Sequence, residues 1–205
     1  MKSSFGCAVA LAATAVVAPA FAQTATWNID TSHSAAHFAV RHMMVSTVRG
    51  DFGKTSGTIE FDGKDVKSIK AEATIDVATV DTRDPKRDEH LKSADFFDVA
   101  KFPTITFKSK RAEAAGPGKF KLVGDLTMRG VTKEVTLDVE GPTTAIKDQR
   151  GNSRVGATAT TKINRQDFGV SWNRTLDAGG LVVGDEVTIS IDLELIKPAV
   201  PAAGK

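Results

Sequence analysis

The sequence predicts an all-β domain of antiparallel strands with one apolar face, the pattern of a sandwich or a closed barrel. Three observations predict it. Apolar and polar residues alternate with period two through most of the chain, Gly- and Asp-containing turns separate the runs, and helical character is confined to one short stretch.

The first segment, "MKSSFGCAVALAATAVVAPAFAQT", has one early cation, Lys2, and then an uncharged apolar run from Cys7 to Ala20. Ala20-Phe21-Ala22 offers the small residues that a signal peptidase reads, so residues 1–22 are expected to be a signal peptide cleaved after Ala22. The run is too short to span a bilayer. Export to a periplasm is the expectation. Cys7 is the only cysteine, so the exported domain has to be stable through its core alone, which a chain of this length allows.

Residues 23–197 read as one domain. Candidate strands begin with Thr26 to Ile29, Ala35 to Val40 (which places Phe38 and Val40), Val48 to Phe52 and Thr58 to Phe61. "SIKAEATIDV" sets Ile69, Ala71, Ala73, Ile75 and Val77 on one face, against Lys70, Glu72, Thr74 and Asp76. Further runs align Ile105 with Phe107, then Phe120, Leu122, Leu126 and Met128, then Val131, Val135, Leu137 and Val139. Val155, Ala157, Ala159 and Ile163 share a face, and "EVTISIDLEL" closes with Val187, Ile189, Ile191, Leu193 and Leu195. The total is roughly eight to ten strands at the usual strand lengths. "KPAVPAAGK" ends the chain, and residues 198–205 read as a flexible tail.

Among the inward positions, Ala71, Ala73, Gly124, Ala157 and Ala159 are small. Small residues facing inward leave volume unfilled, which favours a barrel with a pocket over a packed core. An outer-membrane barrel would carry aromatic girdles and an outward apolar band. This chain has no tyrosine and two tryptophans, and its polar faces are heavily charged. A formal net charge of +2, falling to +1 without Lys2, argues against a nucleic-acid partner.

No catalytic constellation stands out. "HSAAHFAVRH" holds His33, His37 and His42. On an extended strand the first two lie about 13 Å apart at roughly 3.3 Å per residue, too far to share an ion. "DAGGLVVGDE" lacks the lysine and helix of a phosphate loop. No metal or cofactor site is predicted, and the chain is not expected to be an enzyme.

The one departure from alternation is "DPKRDEHLKSADFFDV". Asp84 suits an N-cap, Pro85 the first helical position, and Asp88 and Lys92 an i, i+4 pair, so a short helix is predicted. From Asp81 to Lys101 there are six acidic and five basic residues, the balance of a solvated surface. The alternative is a cap: Phe96 and Phe97 close a barrel mouth, and Arg83, Arg87 or His90 meets a ligand's polar end.

Five stretches together resemble the YceI-like proteins, which are described as periplasmic polyisoprenoid-binding proteins. They are "WNIDTSHSAAHFAVRHMMVSTVRGDF", "RDEHLKSADFFDVAKFPTITF", "GDLTMRGVTKEVTLDV", "INRQDFGV" and "GDEVTISIDLEL". The resemblance implies an extended, eight-stranded lipocalin-like antiparallel barrel, a helical insertion near its opening, and a hydrophobic tunnel for an isoprenoid chain. It also implies a carrier or scavenger, often dimeric, whose ligand is a polyisoprenoid or prenylated quinone. The candidate tunnel residues are Phe38, Val40, Phe52, Phe61, Ile75, Val77, Phe96, Phe97, Ile105, Phe107, Phe120, Leu122, Leu126, Met128, Leu137, Phe168, Trp172, Ile189 and Ile191. Head-group candidates are His42, Arg49, Arg83, Arg87, His90 and Arg174, with Arg41 also available. A barrel for fatty acids or hydrophobic drugs, an accessory enzyme using His42 or His90 as acid/base, and a filled structural core stay open.

Overall fold

The computed structural model describes residues 24–177 and 179–199. The expected signal peptide and the tail from residue 200 onward lie outside these residues.

The strands are β1 (Ala25–Ile29), β2 (Ala35–His42), β3 (Ser46–Phe52), β4 (Thr55–Phe61), β5 (Lys70–Asp76) and β6 (Val80–Asp81). After helix α1 (Pro85–Lys92) come β7 (Thr104–Gly116), β8 (Lys119–Met128), β9 (Val131–Glu140), β10 (Ile146–Lys147), β11 (Ser153–Asn164) and β12 (Val183–Lys197). All pairings are antiparallel. The ring runs β11-β9-β8-β7-β5-β4-β1-β12 and closes where β12 returns to β11, giving an eight-stranded barrel. Its seam is the ladder from Ser153↔Lys197 to Asn164↔Glu186. β12 is long enough to serve two partners on its other edge, β1 near Ile196 and β2 from His42 to Ala35. β3 and β6 extend the sheet beyond β2. The two-residue strands β6 and β10 were too short for alternation to reveal.

The pleat sorts the chemistry. Cross-strand ion pairs cover the outside: Lys121–Asp138 at 2.6 Å, Lys119–Glu140 at 2.5 Å and Lys108–Glu72 at 2.7 Å. Each is solvent-screened and adds little stability, but together they turn a charged face to water. This inverts the outward apolar band of an outer-membrane barrel. No helix among the described residues is long and apolar enough to cross a membrane.

Two glycines are required by contact. At Gly57, with φ of 142°, a Cβ would lie 2.0 Å from the Glu72 carbonyl oxygen, so only glycine lets β4 approach β5 there. At Gly124 a Cβ would meet the Phe107 ring at 2.6 Å. Gly124 therefore leaves no void, contrary to the expectation for small inward residues. Phe107 fills its place.

Helix α1 forms as predicted, with the Asp84 carboxylate accepting from the Lys86 and Arg87 amides. The expected Asp88–Lys92 pair does not form. Asp88 instead accepts from the Thr82 amide at 2.9 Å and hydroxyl at 2.5 Å, while Lys92 reaches Glu89 at 3.1 Å. Tying the helix start to the preceding turn satisfies buried Thr82, which an exposed helical pair would not do. Phe96, Val77, Val80, Ile105, Met128, Phe168 and Val170 gather in one core cluster beneath this segment, with Leu91 and Phe97 packed against it.

Candidate functional site

The barrel encloses a cavity of about 940 Å³ that runs from the α1 end to the turns at its opposite end. Ligand pockets generally measure about 300–1,000 Å³, so this one lies at the upper end. β12 contributes lining residues from Val183 to Lys197. Fourteen strand steps cover about 46 Å along the strand, or about 35 Å along an axis tilted by about 40°. The cavity is therefore elongated, shaped for a chain more than for a disc.

Its wall comes from alternate residues of nearly every strand. Phe38 and Val40 of β2, Phe52 of β3, Phe61 of β4, Ile75 of β5 and Ile105 and Phe107 of β7 all line it. So do Phe120, Leu122, Leu126 and Met128 of β8, Leu137 of β9, and Ile189 and Ile191 of β12. Phe96, Phe97 and Trp172 complete it at the α1 end. Ala71, Ala73, Ala157 and Ala159 face the same space, where their small side chains leave it open. Many of these inward residues, including Phe38, Ile75, Ala73 and Ala157, are half-buried. The surface they retain faces the cavity they line.

Two candidates for the wall are not there. Val77 leaves the strand in the 3-10 turn Val77–Thr79, which Asp76 caps through the Ala78 amide. The side chain then packs into the core at 1 % exposure. Phe168 ends the 3-10 turn Arg165–Phe168 and is 2 % exposed. Both are plugs at the barrel end. In each case a capped turn interrupts the alternation from which a strand position was inferred.

The six head-group candidates divide evenly. His42, Arg87 and His90 line the cavity; Arg49, Arg83 and Arg174 do not. Arg49 follows Val48, which faces inward, so the pleat turns it out. Arg83 sits in a left-handed turn at φ of 62°, and Arg174 is exposed on the loop before β12. Arg87 is committed: its Nε donates to Thr82 Oγ1 at 2.7 Å and its Nη2 to the Thr82 carbonyl at 2.8 Å. His90 is wedged edge-on between Phe96 and Trp172, with ring centroids 5.0 and 4.9 Å away, and its Nε2 lies 2.8 Å from Asp95 Oδ2. The helix thus contributes a fixed imidazole to the end of the cavity, set between the aromatic rings of Phe96 and Trp172.

The residue that sequence reasoning missed is Arg165, within "INRQDFGV". It is 4 % exposed and borders the cavity. Its guanidinium donates to the carbonyls of Gly184, Val170, Trp172 and Val183 and to Asp185 Oδ1. Burial pushes its pKa down, partly offset by Asp185. One side chain thereby ties the end of β11 to the start of β12 and to the Trp172 segment. The available signal was the motif: an arginine directly after an asparagine cap, within a capped turn that ends at Gly169.

The histidine stretch is dispersed. His33 lies in the turn before β2, 3.1 Å from Asp30, and His37 on β2 lies 3.5 Å from Asp192. Asp30, His33 and Glu194 bring ligand atoms together, but Arg154 stands among them. Its Nη1 donates to Asp30 at 2.7 Å and to Glu194, and its Nε to Asp148 at 2.9 Å. The guanidinium supplies the charge that this group of carboxylates needs.

At the far end the cavity is bordered by Asp62, Gly63, Lys64, Gly118, the segment 141–145 and Lys197. Backbone amides of Lys64 and Asp65 donate to Asp62 and lower its pKa. None of these residues was anticipated, because all but Lys197, the last residue of β12, occupy turns and loops, where alternation carries no information.

A closed antiparallel barrel that is charged outside, apolar inside and walled by a helix at one end defines the class of ligand-binding barrels. Comparison with known proteins makes the assignment specific: the chain belongs to the YceI-like family, whose domain matches residues 27–195. The UPF0312 protein SAS2572 of Staphylococcus aureus (strain MSSA476) is 36% identical over 168 residues, 82% of this chain and 95% of the relative. BcnA of Burkholderia cenocepacia superposes with a TM-score of 0.68 at 28% identity, covering 81% of this chain and 98% of that one. A polyisoprenoid binding domain from Saccharophagus degradans, implicated in plant cell wall breakdown, shares the fold with a TM-score of 0.61 at 17% identity, covering 86% and 100%.

Proposed function

We propose that this chain is an exported lipid-binding protein whose barrel holds the tail of a polyisoprenoid or prenylated quinone, as a carrier or scavenger. The observation that carries the reading is the elongated apolar cavity, bordered by polar groups at its ends and walled by the inner faces of the strands. The signal-peptide pattern of residues 1–22 supports export, and the Saccharophagus domain supports the ligand class by analogy of fold. Each buried CH₂ contributes about 0.8 kcal/mol, so ten tail carbons provide about 8 kcal/mol before ordering costs.

A head group lodged at the α1 end is uncharged in this reading. Arg165 and Arg87 spend their donors on carbonyls and on Thr82, which leaves them poorly placed to grip a pyrophosphate. His42 suits the single acceptor of a quinone carbonyl, whereas His90 gives its Nε2 hydrogen to Asp95 and serves as part of the wall. Binding is non-catalytic on this account, since these groups hold and orient.

Uptake is the test. Delipidated protein titrated with a prenylated quinone should change its tryptophan emission, because Trp27 and Trp172 both line the cavity. A fatty acid should compete weakly. No change with any polyprenyl lipid, or equal affinity for the fatty acid, would overturn the proposal.

A further inference from the structure

Among the described residues, four large exposed apolar side chains meet at one apex: Met43, Met44, Val45 and Leu181. Met44 and Val45 are 62 % and 79 % exposed. Met43 donates its amide to the Val182 carbonyl at 2.8 Å, and Val182 donates to the Arg174 carbonyl at 3.0 Å. Thr175 and Leu181 form a bridge. The tip of the β2–β3 hairpin and the loop before β12 therefore stand side by side. Directly below them, Arg41, His42, Val182 and Val183 border the cavity.

The hairpin tip is an expensive place for methionine. The Val45 amide donates to the His42 carbonyl at 3.1 Å across Met43 and Met44, whose φ angles are 51° and 59°. Positive φ at both central positions is the type I′ arrangement, which Asn-Gly fills with least strain. The chain instead places two long apolar side chains there, pointing into water. Arg41 braces the tip through Thr47 Oγ1 at 3.1 Å and the Met44 carbonyl at 2.6 Å.

The flanks are cationic. Arg41, Arg49 and Arg174 are exposed, and none has an acidic partner within ion-pair distance among the described residues. Asp177 is the acid of the neighbouring loop.

We propose that this apex docks on an anionic lipid bilayer. Met43, Met44, Val45 and Leu181 enter the interface, Arg174 meets lipid phosphates, Arg41 adds positive charge behind the tip it braces, and the adjoining cavity end is brought to the membrane surface. A bilayer offers apolar depth and negative charge together. A second copy of the chain fits less well, since an isologous contact sets this patch against itself and arginine against arginine. The inference goes beyond the binding of lipid in the barrel and does not depend on which ligand the cavity holds.

Flotation of the exported protein with phosphatidylethanolamine–phosphatidylglycerol vesicles tests it, with phosphatidylcholine vesicles as the neutral control. The protein should float with the anionic vesicles and less with the neutral ones. Met44→Ser and Val45→Ser should each lower partition about tenfold, and Arg174→Glu about fivefold or more. Met43→Asn with Met44→Gly relieves the turn, so it should keep or raise Tm and retain cavity ligand while abolishing flotation. Absence of flotation with anionic vesicles, or equal flotation of all variants, would overturn the proposal. So would a dimer, dissolved by these substitutions, in a protein that ignores vesicles. Ligand content is read separately by extraction, so an empty cavity with intact flotation counts against the lipid-carrier reading alone.

Discussion

Ala73→Leu combined with Ala157→Leu should stabilise the empty barrel and weaken ligand binding, two effects that a packed core would not produce together. Both alanines face the cavity from β5 and β11 and are half-buried. Two leucines add six carbons, about 5 kcal/mol of burial if fully covered at about 0.8 kcal/mol each. Against an open wall roughly half of that is realised, and ordering two leucines costs about 1–2 kcal/mol. The net is about 1 kcal/mol of added stability, or a rise of about 2–4 °C in Tm for a domain of this size. For a lipid tail the same six carbons are displaced volume. Losing about 5 kcal/mol of burial weakens Kd by about three and a half orders of magnitude. Calorimetry of the delipidated protein reads the first effect and tryptophan titration the second. If the interior were already filled, the substitutions would overpack it, cost about 1–3 kcal/mol and lower Tm. A fall in Tm, or unchanged affinity, refutes the reasoning.

Three further outcomes are expected. Arg165→Met should cost about 2–4 kcal/mol, because it removes the donor to the Val170, Trp172 and Gly184 carbonyls, while the Val183 carbonyl keeps Asn173 and Asp185 keeps Gln166; a loss of less than about 1 kcal/mol in urea unfolding would contradict the assigned role. Stability should decline in acid. Asp30 is held below the usual carboxylate range by hydrogen bonds from Ser32 and Arg154, and Asp148 falls to about 2 through Asn152 and Arg154. Folded pKa values below the unfolded value near 4 mean that this contribution is complete above about pH 4 and drains as pH falls toward about 2. Arg154→Met should flatten that decline, and identical acid profiles for the two proteins would count against the network. Asp84→Ala removes a cap worth about 1 kcal/mol, so hydrogen exchange in α1 should accelerate about fivefold while β11 and β12 stay unchanged.

The barrel was legible because alternation reports which face of a strand is wet. That signal located the long strands β7, β8, β9, β11 and β12 and nearly all of the apolar wall. It failed where a capped turn breaks the period, as at Val77 and Phe168, and where strands have only two residues, as at Val80 and Ile146. Helix α1 was legible for a different reason: Asp84 and Pro85 are local signals that need no tertiary information. The ends of the cavity were not legible. Arg165 binds four carbonyls from two separate segments, an arrangement that exists only after β11 and β12 have paired. Arg49 and Arg83 were plausible by charge alone, and the pleat and a left-handed turn direct them elsewhere.

The central claim is that the barrel carries an isoprenoid, and organic extraction of the natively purified protein with mass spectrometry of the extract tests it most directly. The account predicts a polyprenyl lipid or prenylated quinone recovered in near-stoichiometric amount from the unaltered protein and depleted in the Ala73→Leu, Ala157→Leu variant. Recovery of no isoprenoid, or equal recovery from both proteins, would contradict it.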